Sequence, residues 1–299
     1  MELTLSNISK TYPNGVQALK DINLSIPQGM YGMLGPNGAG KSTLMRIIAT
    51  LQEPDTGSIT FGNYNLLQQK GKIRETLGYL PQEFGLYSKS RAEDLLNHFV
   101  ILKGIIDSSE RKKIVENLLK QTNLWDVKRQ RVGGFSGGMK QRFGVAIALL
   151  GNPKLMIVDE PTAGLDPAER VRFLNLLSEI GENSVVILST HIVEDVSELC
   201  TRMAIINKGE ILLEAEPLQA VKNLEGKVWN KIINRDELSE IENKHNVIST
   251  KLQSGRSLVQ VYSETSPGAD FRQKKPGLED VYFTTMAGHF KNASKTAAQ

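Results

Sequence analysis

A glycine-rich segment near the N-terminus constrains the fold of this chain more than any other feature of its sequence. Residues 35–42 read GPNGAGKS, the G-x-x-x-x-G-K-S pattern of a phosphate-binding loop. The apolar run 31–34 precedes it, and apolar residues at helical spacing follow it from Leu44 to Leu51. Glycines let backbone amides converge on phosphate oxygens, and a helix start adds its positive dipole end. The pattern therefore predicts a strand–loop–helix unit in which Lys41 bridges the β- and γ-phosphates and Ser42 binds Mg²⁺.

The surrounding pattern predicts an α/β fold around this loop. Short buried-strand runs at 155–158, 185–188 and 203–206, with helical segments between the first two, are typical of βαβ units in a parallel sheet. Residues 1–30 favour antiparallel strands with tight turns, and a second β section is expected near 58–61 and 76–80. Three apolar helical stripes predict a helical insertion over about 86–150.

Length and pattern together indicate two units. A chain of 299 residues corresponds to about two domains. The pattern weakens after Pro217, so we expect a core that carries the phosphate loop over 1–225 and a small C-terminal α+β appendage over 226–290. Ser254–Arg256 is the expected turn of a hairpin within the appendage. The polar tail 291–299 is expected to be flexible.

Composition excludes several classes of protein. One cysteine, Cys200, cannot form an internal disulfide, and it falls on an apolar helical face where a buried small side chain is expected. A net charge of +3 is too balanced to indicate nucleic acid. The longest apolar run, Val145–Leu150, is far shorter than a membrane span, and the N-terminus lacks the pattern of a secretory signal. We expect a cytosolic protein, free or docked on a membrane partner.

Two acidic residues follow the first strand of the later βαβ unit. Ligands collect beyond the carboxyl ends of parallel strands, so Asp159 is placed to hold Mg²⁺, directly or through water. Glu160 is placed to take a proton from an attacking water. Alone, an apolar run that ends in Asp-Glu is typical of a strand entering a solvated loop. The phosphate loop on the same chain favours the catalytic interpretation.

The segment Phe135–Arg142, FSGGMKQR, predicts a second anion site. Ser136 is a helix N-cap, and Gly137 and Gly138 follow it at the helix start. A second receptor for a γ-phosphate is redundant within one monomer, but it is meaningful if two copies meet head to tail. Taken alone, the segment is more typical of an ordinary capped helix with a glycine turn.

With these motifs, residues 2–222 resemble the nucleotide-binding subunits of ATP-binding cassette (ABC) transporters. Seven motifs occur in the family's order: Tyr12, GPNGAGKS, Gln82 in YLPQ, FSGGMKQR, LMIVDE, the Gly164–Asp166 loop and His191 in STH. Phe135 and Met139 depart from the usual leucine and glutamine of the signature. The resemblance implies an ATPase core of the RecA-like P-loop NTPase fold.

The resemblance also implies a role for each matching residue. Tyr12 would stack on adenine, Gln82 would sense Mg²⁺ and the attacking water, and His191 would contact the γ-phosphate. Asp166 would act at the dimer interface. The implied nucleotide contacts are Tyr12, Gly35, Pro36, Asn37, Gly38, Ala39, Gly40, Lys41, Ser42, Thr43, Ser136, Gly137, Gly138 and Asp166; the implied metal ligands are Ser42, Gln82 and Asp159; the implied catalytic residues are Lys41, Gln82, Glu160 and His191.

The function implied is ATP hydrolysis that drives transport through a separate membrane permease. Two copies, or this chain and a paralogue, would sandwich two MgATP on the cytoplasmic face of the plasma membrane. Residues 83–99 and 277–282 resemble export-type subunits. The permease is expected to dock around Gln82–Asn97, including Phe84, Leu86 and Tyr87. The alternatives are a soluble cassette ATPase that clamps nucleic acid or ribosomes, and a regulatory nucleotide-binding module without turnover.

One near-match to another nucleotide motif is rejected. Asn207–Glu210 imitates the guanine-specific NKxD sequence, but its acid is glutamate and it lies between two short strands. A Lys-Gly hairpin turn is the simpler interpretation.

Overall fold

The computed structural model describes residues 1–82, 85, 87–253 and 255–289. Their strands form a six-stranded sheet and two four-stranded sheets. Within these residues, no helix is both long and apolar enough to cross a bilayer.

The six-stranded sheet is the centre of the molecule. Its order is β10-β9-β3-β8-β7-β6, with β3 Gly29–Leu34, β6 Leu77–Leu80, β7 Leu155–Asp159, β8 Val185–Thr190, β9 Arg202–Asn207 and β10 Glu210–Ala215. All neighbours pair in parallel except β9 and β10, which form an antiparallel hairpin. Alternate residues of these strands enter two apolar layers, one containing α1 (Lys41–Ile48) and the other containing α6 (Pro167–Gly181) and α7 (Val193–Leu199). Burial on both faces explains the near-continuous apolar runs of these strands.

An antiparallel sheet covers the α1 side. Its order is β2-β1-β4-β5, with β1 Leu3–Thr11, β2 Gln17–Ile26, β4 Thr56–Phe61 and β5 Tyr64–Asn65; the short helix α2, Lys70–Glu75, follows. The structure separates the two halves of the expected second β section, because 58–61 falls in this sheet and β6 pairs with β7 in the parallel sheet. The helix after the phosphate loop ends at Ile48, so Leu51 lies beyond it and is exposed.

The helical insertion is confirmed as three helices with their own apolar cluster. They are α3 Ala92–Leu102, α4 Ser108–Gln121 and α5 Gly137–Ala148. Leu95, Leu118 and Phe143 are buried together, whereas Leu102, the last residue of α3, is mostly exposed.

The C-terminal segment forms the third sheet, in the order β12-β13-β11-β14. Its strands are β11 Val228–Ile233, β12 Asn246–Gln253, β13 Arg256–Tyr262 and β14 Arg272–Gln273, and its helices are α9 Leu238–Lys244 and α10 Leu278–Met286. Strands and α-helices thus both occur among the described residues of this segment, as an α+β appendage requires. The β12–β13 pairing is the expected hairpin, although Ser254 in its turn and the tail 291–299 lie outside the described residues.

The C-terminal segment packs onto the core. Val228 and Val281 belong to the same apolar layer as Val196 of α7, and Ala220 of α8 (Pro217–Lys222) joins that layer. The division near residue 225 stays a prediction.

Candidate functional site

The phosphate loop lies between β3 and α1, as the motif predicts. Gly40 has φ +110°, and a Cβ there would lie 2.5 Å from the Ala18 carbonyl oxygen, so a larger residue is sterically excluded. The Ala39 carbonyl accepts the Gly209 amide at 2.9 Å, which attaches the loop to the β9–β10 turn. The loop is therefore held from two sides.

This loop forms one wall of an open cavity of about 790 Å³. The cavity is lined by the phosphate loop, by residues at and before the start of β2, and by the β9–β10 turn. The lining residues are Tyr12, Val16, Gln17, Ala18, Lys20, Pro36, Asn37, Gly38, Gly40, Lys41, Ser42, Thr43, Gln82, Glu160, Lys208 and Gly209. The structure thus brings Tyr12, Gln82 and Glu160 to the phosphate loop from three distant parts of the sequence.

Lys41 begins α1 and its side chain is buried. Its Nζ donates to the Gly35 carbonyl oxygen at 2.6 Å and lies 3.3 Å from Glu160 Oε1. A buried ammonium needs such partners because its charge has lost most of its water. The backbone of the loop and the carboxylate therefore fix the position of this cation.

The two acidic residues diverge at the end of β7. Asp159 is the last strand residue and pairs with Ser189 of β8, whereas Glu160 has a left-handed φ of +50° and donates its amide to the Ser189 carbonyl at 2.8 Å. A positive φ is uncommon for a glutamate. The left-handed turn places Glu160 against Lys41 and directs the two carboxylates differently.

Asp159 has the properties of a cation ligand. Its carboxyl is buried, and burial raises its pKa; the nearby hydroxyls of Ser189 and Ser42 partly oppose this shift. Its Oδ1 is buried and has no hydrogen-bond partner among the described residues. Mg²⁺ favours carboxylate and hydroxyl oxygens and takes few protein ligands beside phosphates. The residues present therefore fit Mg²⁺ at Asp159 and Ser42.

His191 directly follows β8 and is half exposed. Its Nδ1 lies 2.5 Å from Glu160 Oε2. Glu160 is thus in contact with Lys41 through one oxygen and with His191 through the other. Glu160 Oε1 is buried and accepts no hydrogen bond from the described residues, so Lys41 offsets its charge without satisfying the oxygen.

Tyr12 and Gln82 both line the cavity. The Tyr12 hydroxyl lies 3.1 Å from Thr43 Oγ1, which attaches the aromatic ring to α1. Gln82 is exposed and lines the cavity. Two of the expected docking residues, Phe84 and Leu86, lie outside the described residues, and Tyr87 is exposed.

The second anion motif lies apart from this cavity. Ser136 is the N-cap of α5, and its Oγ accepts the Met139 amide at 3.2 Å. A Cβ on Gly137 would lie 4.0 Å from the Leu165 side chain, and one on Gly138 would collide with the Glu169 carboxylate. Among the described residues that line the cavity, none belongs to this motif. One chain therefore carries both motifs without bringing them together.

Asp166 caps a different helix. Its Oδ1 accepts the Glu169 amide at 2.8 Å, and it is the N-cap of α6. Glu169 in turn forms an ion pair with buried Arg142 of α5 at 3.2 Å. This pair joins the helical insertion to α6, and sequence reasoning missed it because the two residues are far apart along the chain.

The β9–β10 turn has a position that its sequence did not reveal. The hairpin is confirmed, but Lys208 and Gly209 also line the cavity. Cys200 is buried, and burial raises the pKa of its thiol strongly, as expected for a packing residue.

Comparison with known proteins gives a consistent result. The profile of the family described as ABC transporter matches residues 19–163. The Bacillus subtilis protein YxlF, described as an uncharacterized ABC transporter ATP-binding protein, is 32% identical over 95% of this chain and 99% of its own length. Escherichia coli YbhF, described as a probable multidrug ABC transporter ATP-binding protein, is 34% identical over 75% of this chain, and the match spans 39% of that relative's length.

Relatives named for import also match. The methionine import ATP-binding protein MetN of Chromohalobacter salexigens is 37% identical over 72% of this chain and 64% of its own length. Among solved structures, the ATP-binding cassette MJ0796, described as a dimer in a post-hydrolysis state bound to ADP and Pi, superposes with a TM-score of 0.65. That match has 29% identity and covers 72% of this chain and 98% of the other.

Proposed function

The chain belongs to the ABC transporter family, and on that premise we propose that it hydrolyses MgATP to drive transport through a separate permease. In this proposal two copies close head to tail on ATP and separate after hydrolysis, and each copy contributes one half of each site. Closure and opening then move the permease.

The observation that carries the proposal is the separation of the two anion motifs. Lys41, Glu160 and the phosphate loop face one cavity, whereas Ser136 begins a helix beside Leu165 on another part of the same chain. The amides and dipole of the α5 N-terminus suit an anion. A second copy placed head to tail would bring this N-terminus to the γ-phosphate.

Each residue at the cavity then has a task. The loop amides and Lys41 hold the phosphates, Ser42 and Asp159 hold Mg²⁺, Gln82 orients the attacking water, and Glu160 accepts its proton. Mg²⁺, when bound, neutralises charge on the β- and γ-phosphate oxygens. Positioning and charge neutralisation account for most of the catalysis in phosphoryl transfer.

Lys41, Glu160 and His191 contact one another at the cavity. Lys41 donates a hydrogen bond to the Gly35 carbonyl and forms an ion pair with Glu160. His191 contacts Glu160 through Nδ1. Bound phosphate would compete for Lys41 and release Glu160 to bind water. His191 would then be able to donate to the γ-phosphate.

We expect Glu160→Gln to form a stable dimer in MgATP, because the shared site closes but hydrolysis does not reopen it. Size-exclusion chromatography with light scattering measures this: the variant should elute as a dimer with MgATP and as a monomer without nucleotide. Ser136→Arg in the same background is the control, because a bulky cation at the α5 N-terminus should block closure while leaving the cavity intact.

Dilution of the wild-type protein tests the shared site in a second way. A shared site requires that ATPase activity per chain falls on dilution, because dimers dissociate. Activity per chain that stays constant while light scattering shows only monomers would contradict the proposal.

We expect Asp159→Asn to raise the stability of the fold and to lower ATPase activity. Burial raises the folded-state pKa of Asp159 above its unfolded value, so the ionised carboxylate destabilises the fold. This penalty builds up as pH rises from the unfolded-state pKa to the folded-state pKa and is constant at higher pH. The amide should raise the apo melting temperature at neutral pH by on the order of a few °C and flatten its pH dependence. Mg²⁺-dependent hydrolysis should fall by on the order of 10²-fold. Calorimetry and a Mg²⁺ titration of ATPase activity measure the two effects, and a destabilised, fully active variant would refute the assignment.

The permease and the direction of transport extend this proposal. Export is favoured by the resemblance of residues 83–99 and 277–282 to export-type subunits and by the multidrug name of the relative YbhF. Affinity purification from detergent-solubilised membranes should recover a protein with several spans; recovery with ribosomes or DNA would favour the clamp alternative instead. In inverted vesicles that carry the recovered permease, external ATP should load a drug substrate for export, whereas import would not fill them.

A further inference from the structure

A buried carboxylate outside the cavity has no role in the mechanism above. Asp195 lies in the first turn of α7, and none of its side chain is exposed. Removing a carboxylate from water is unfavourable unless several partners replace the lost hydration. The identity of its partners therefore indicates what the residue does.

Asp195 contacts three segments of the core. Its Oδ2 accepts the Thr162 hydroxyl at 2.5 Å, and its Oδ1 accepts Arg170 Nε at 2.7 Å. The Thr190 hydroxyl lies 3.5 Å from Oδ2 and also accepts the Ile192 amide at 2.9 Å. Both oxygens of one carboxylate are thus engaged by residues from different elements.

Each of these partners lies close along the chain to a site residue. Thr162 lies in the loop that begins with Glu160, and Thr190 directly precedes His191. Arg170 lies on α6 and donates its amide to the carbonyl of Asp166, the N-cap of that helix. The loop after β7, the loop after β8 and the start of α6 therefore meet at one carboxylate.

We propose that Asp195 is a positioning residue that sets the loop carrying Glu160 and the loop carrying His191 in register with each other and with α6. This inference rests on the proposed ATPase function. Without the carboxylate, Thr162 loses its acceptor and Arg170 loses its counter-ion, so the two loops can move independently. Asp195 does not line the cavity, and neither do its three partners, so direct contacts with ATP are retained.

The test is Asp195→Asn, which keeps the shape of the side chain but removes its charge. We expect kcat for ATP to fall by on the order of 10–100-fold while KM stays within about 2-fold, because positioning is lost and phosphate contacts are not. Glu194→Gln is the matched control, since it neutralises the exposed neighbouring carboxylate on the same helix and should leave both constants unchanged.

A second pair of variants covers the case in which Asp195→Asn fails to fold. Thr162→Val removes only the hydroxyl that binds Asp195, and Thr162→Ser retains it. We expect the kcat defect in the valine variant and near-normal kcat in the serine variant. In the double variant of Asp195→Asn and Thr162→Val, the combined defect should be smaller than the product of the two single defects, because both substitutions weaken the same contact.

The spectroscopic readout needs no nucleotide. In the uniformly ¹⁵N-labelled apo protein, with the His191 imidazole signal assigned from His191→Ala, that signal should shift in Asp195→Asn and Thr162→Val but not in Glu194→Gln. This readout separates the two failures: an inactive wild-type protein defeats the proposed function, whereas unchanged imidazole signals defeat the inference about Asp195. A folded Asp195→Asn or Thr162→Val with wild-type kcat, or kcat defects that multiply in the double variant, would also overturn it.

Discussion

Glu160→Gln is expected to bind ATP with nearly unchanged affinity and to hydrolyse it 10²–10⁴-fold more slowly, about 3–5 kcal/mol of transition-state stabilisation, if Glu160 is the general base. The substitution preserves the shape of the side chain and can still contact His191, but an amide cannot accept the proton of water. Phosphate release under single-turnover conditions measures the chemical step, and nucleotide titration measures affinity.

The matched control is Glu179→Gln, an exposed position on α6 that does not line the cavity. It should retain wild-type turnover. Near-normal hydrolysis by Glu160→Gln would remove Glu160 from the mechanism and leave Asp159, its neighbour in the sequence, as the other candidate base. Asp159 would then have to serve both as base and as metal ligand.

Lys41→Ala is expected to weaken ATP binding by on the order of 10²-fold and to abolish turnover. The ammonium is the only buried cation on the cavity wall among the described residues, and it is held in place by the Gly35 carbonyl and Glu160. Its loss also leaves Glu160 buried beside one fewer counter-charge, so the apo melting temperature should fall as well.

Lys20→Ala provides the comparison for Lys41. Lys20 lines the same cavity, but its ammonium is directed to Glu210 at 3.0 Å, so ATP affinity should change by less than about 3-fold. A fluorescent nucleotide titration distinguishes the two lysines. If Lys41→Ala and Lys20→Ala lowered ATP affinity by the same small factor, the phosphate loop would not bind triphosphate through Lys41.

Much of this fold could be predicted because the elements concerned are each specified by a short, continuous stretch of sequence. The phosphate loop follows from eight consecutive residues, and the strands that end at Leu34, Asp159 and Thr190 follow from short apolar runs. Sheet membership is different. β6 joins the parallel sheet through Leu77 and Leu155, which are distant in sequence, so a four-residue apolar run could not reveal its partner.

The same distinction holds at the site. Tyr12, Lys41, Gln82 and Glu160 were predicted by motif, and the structure places all four at one cavity; their chemical roles stay predictions until the variants are measured. Asp195 could not be found this way. An acid in the first turn of a helix is usually a solvated partner of the helix dipole, and only the fold brings Thr162 and Arg170 to it.

The β9–β10 turn looks like a convenient place to insert an epitope tag or a fluorescent reporter, since Lys208 is exposed and the hairpin is short. Its backbone makes it a poor one. Gly209 donates to Ala39 and accepts the Lys20 amide at 2.8 Å, and a Cβ on Gly209 would lie 2.7 Å from the Ala18 carbonyl oxygen. An insertion in this turn would break the hydrogen bonds that connect it to the phosphate loop and to β2, so a tag or reporter is better placed elsewhere in the chain.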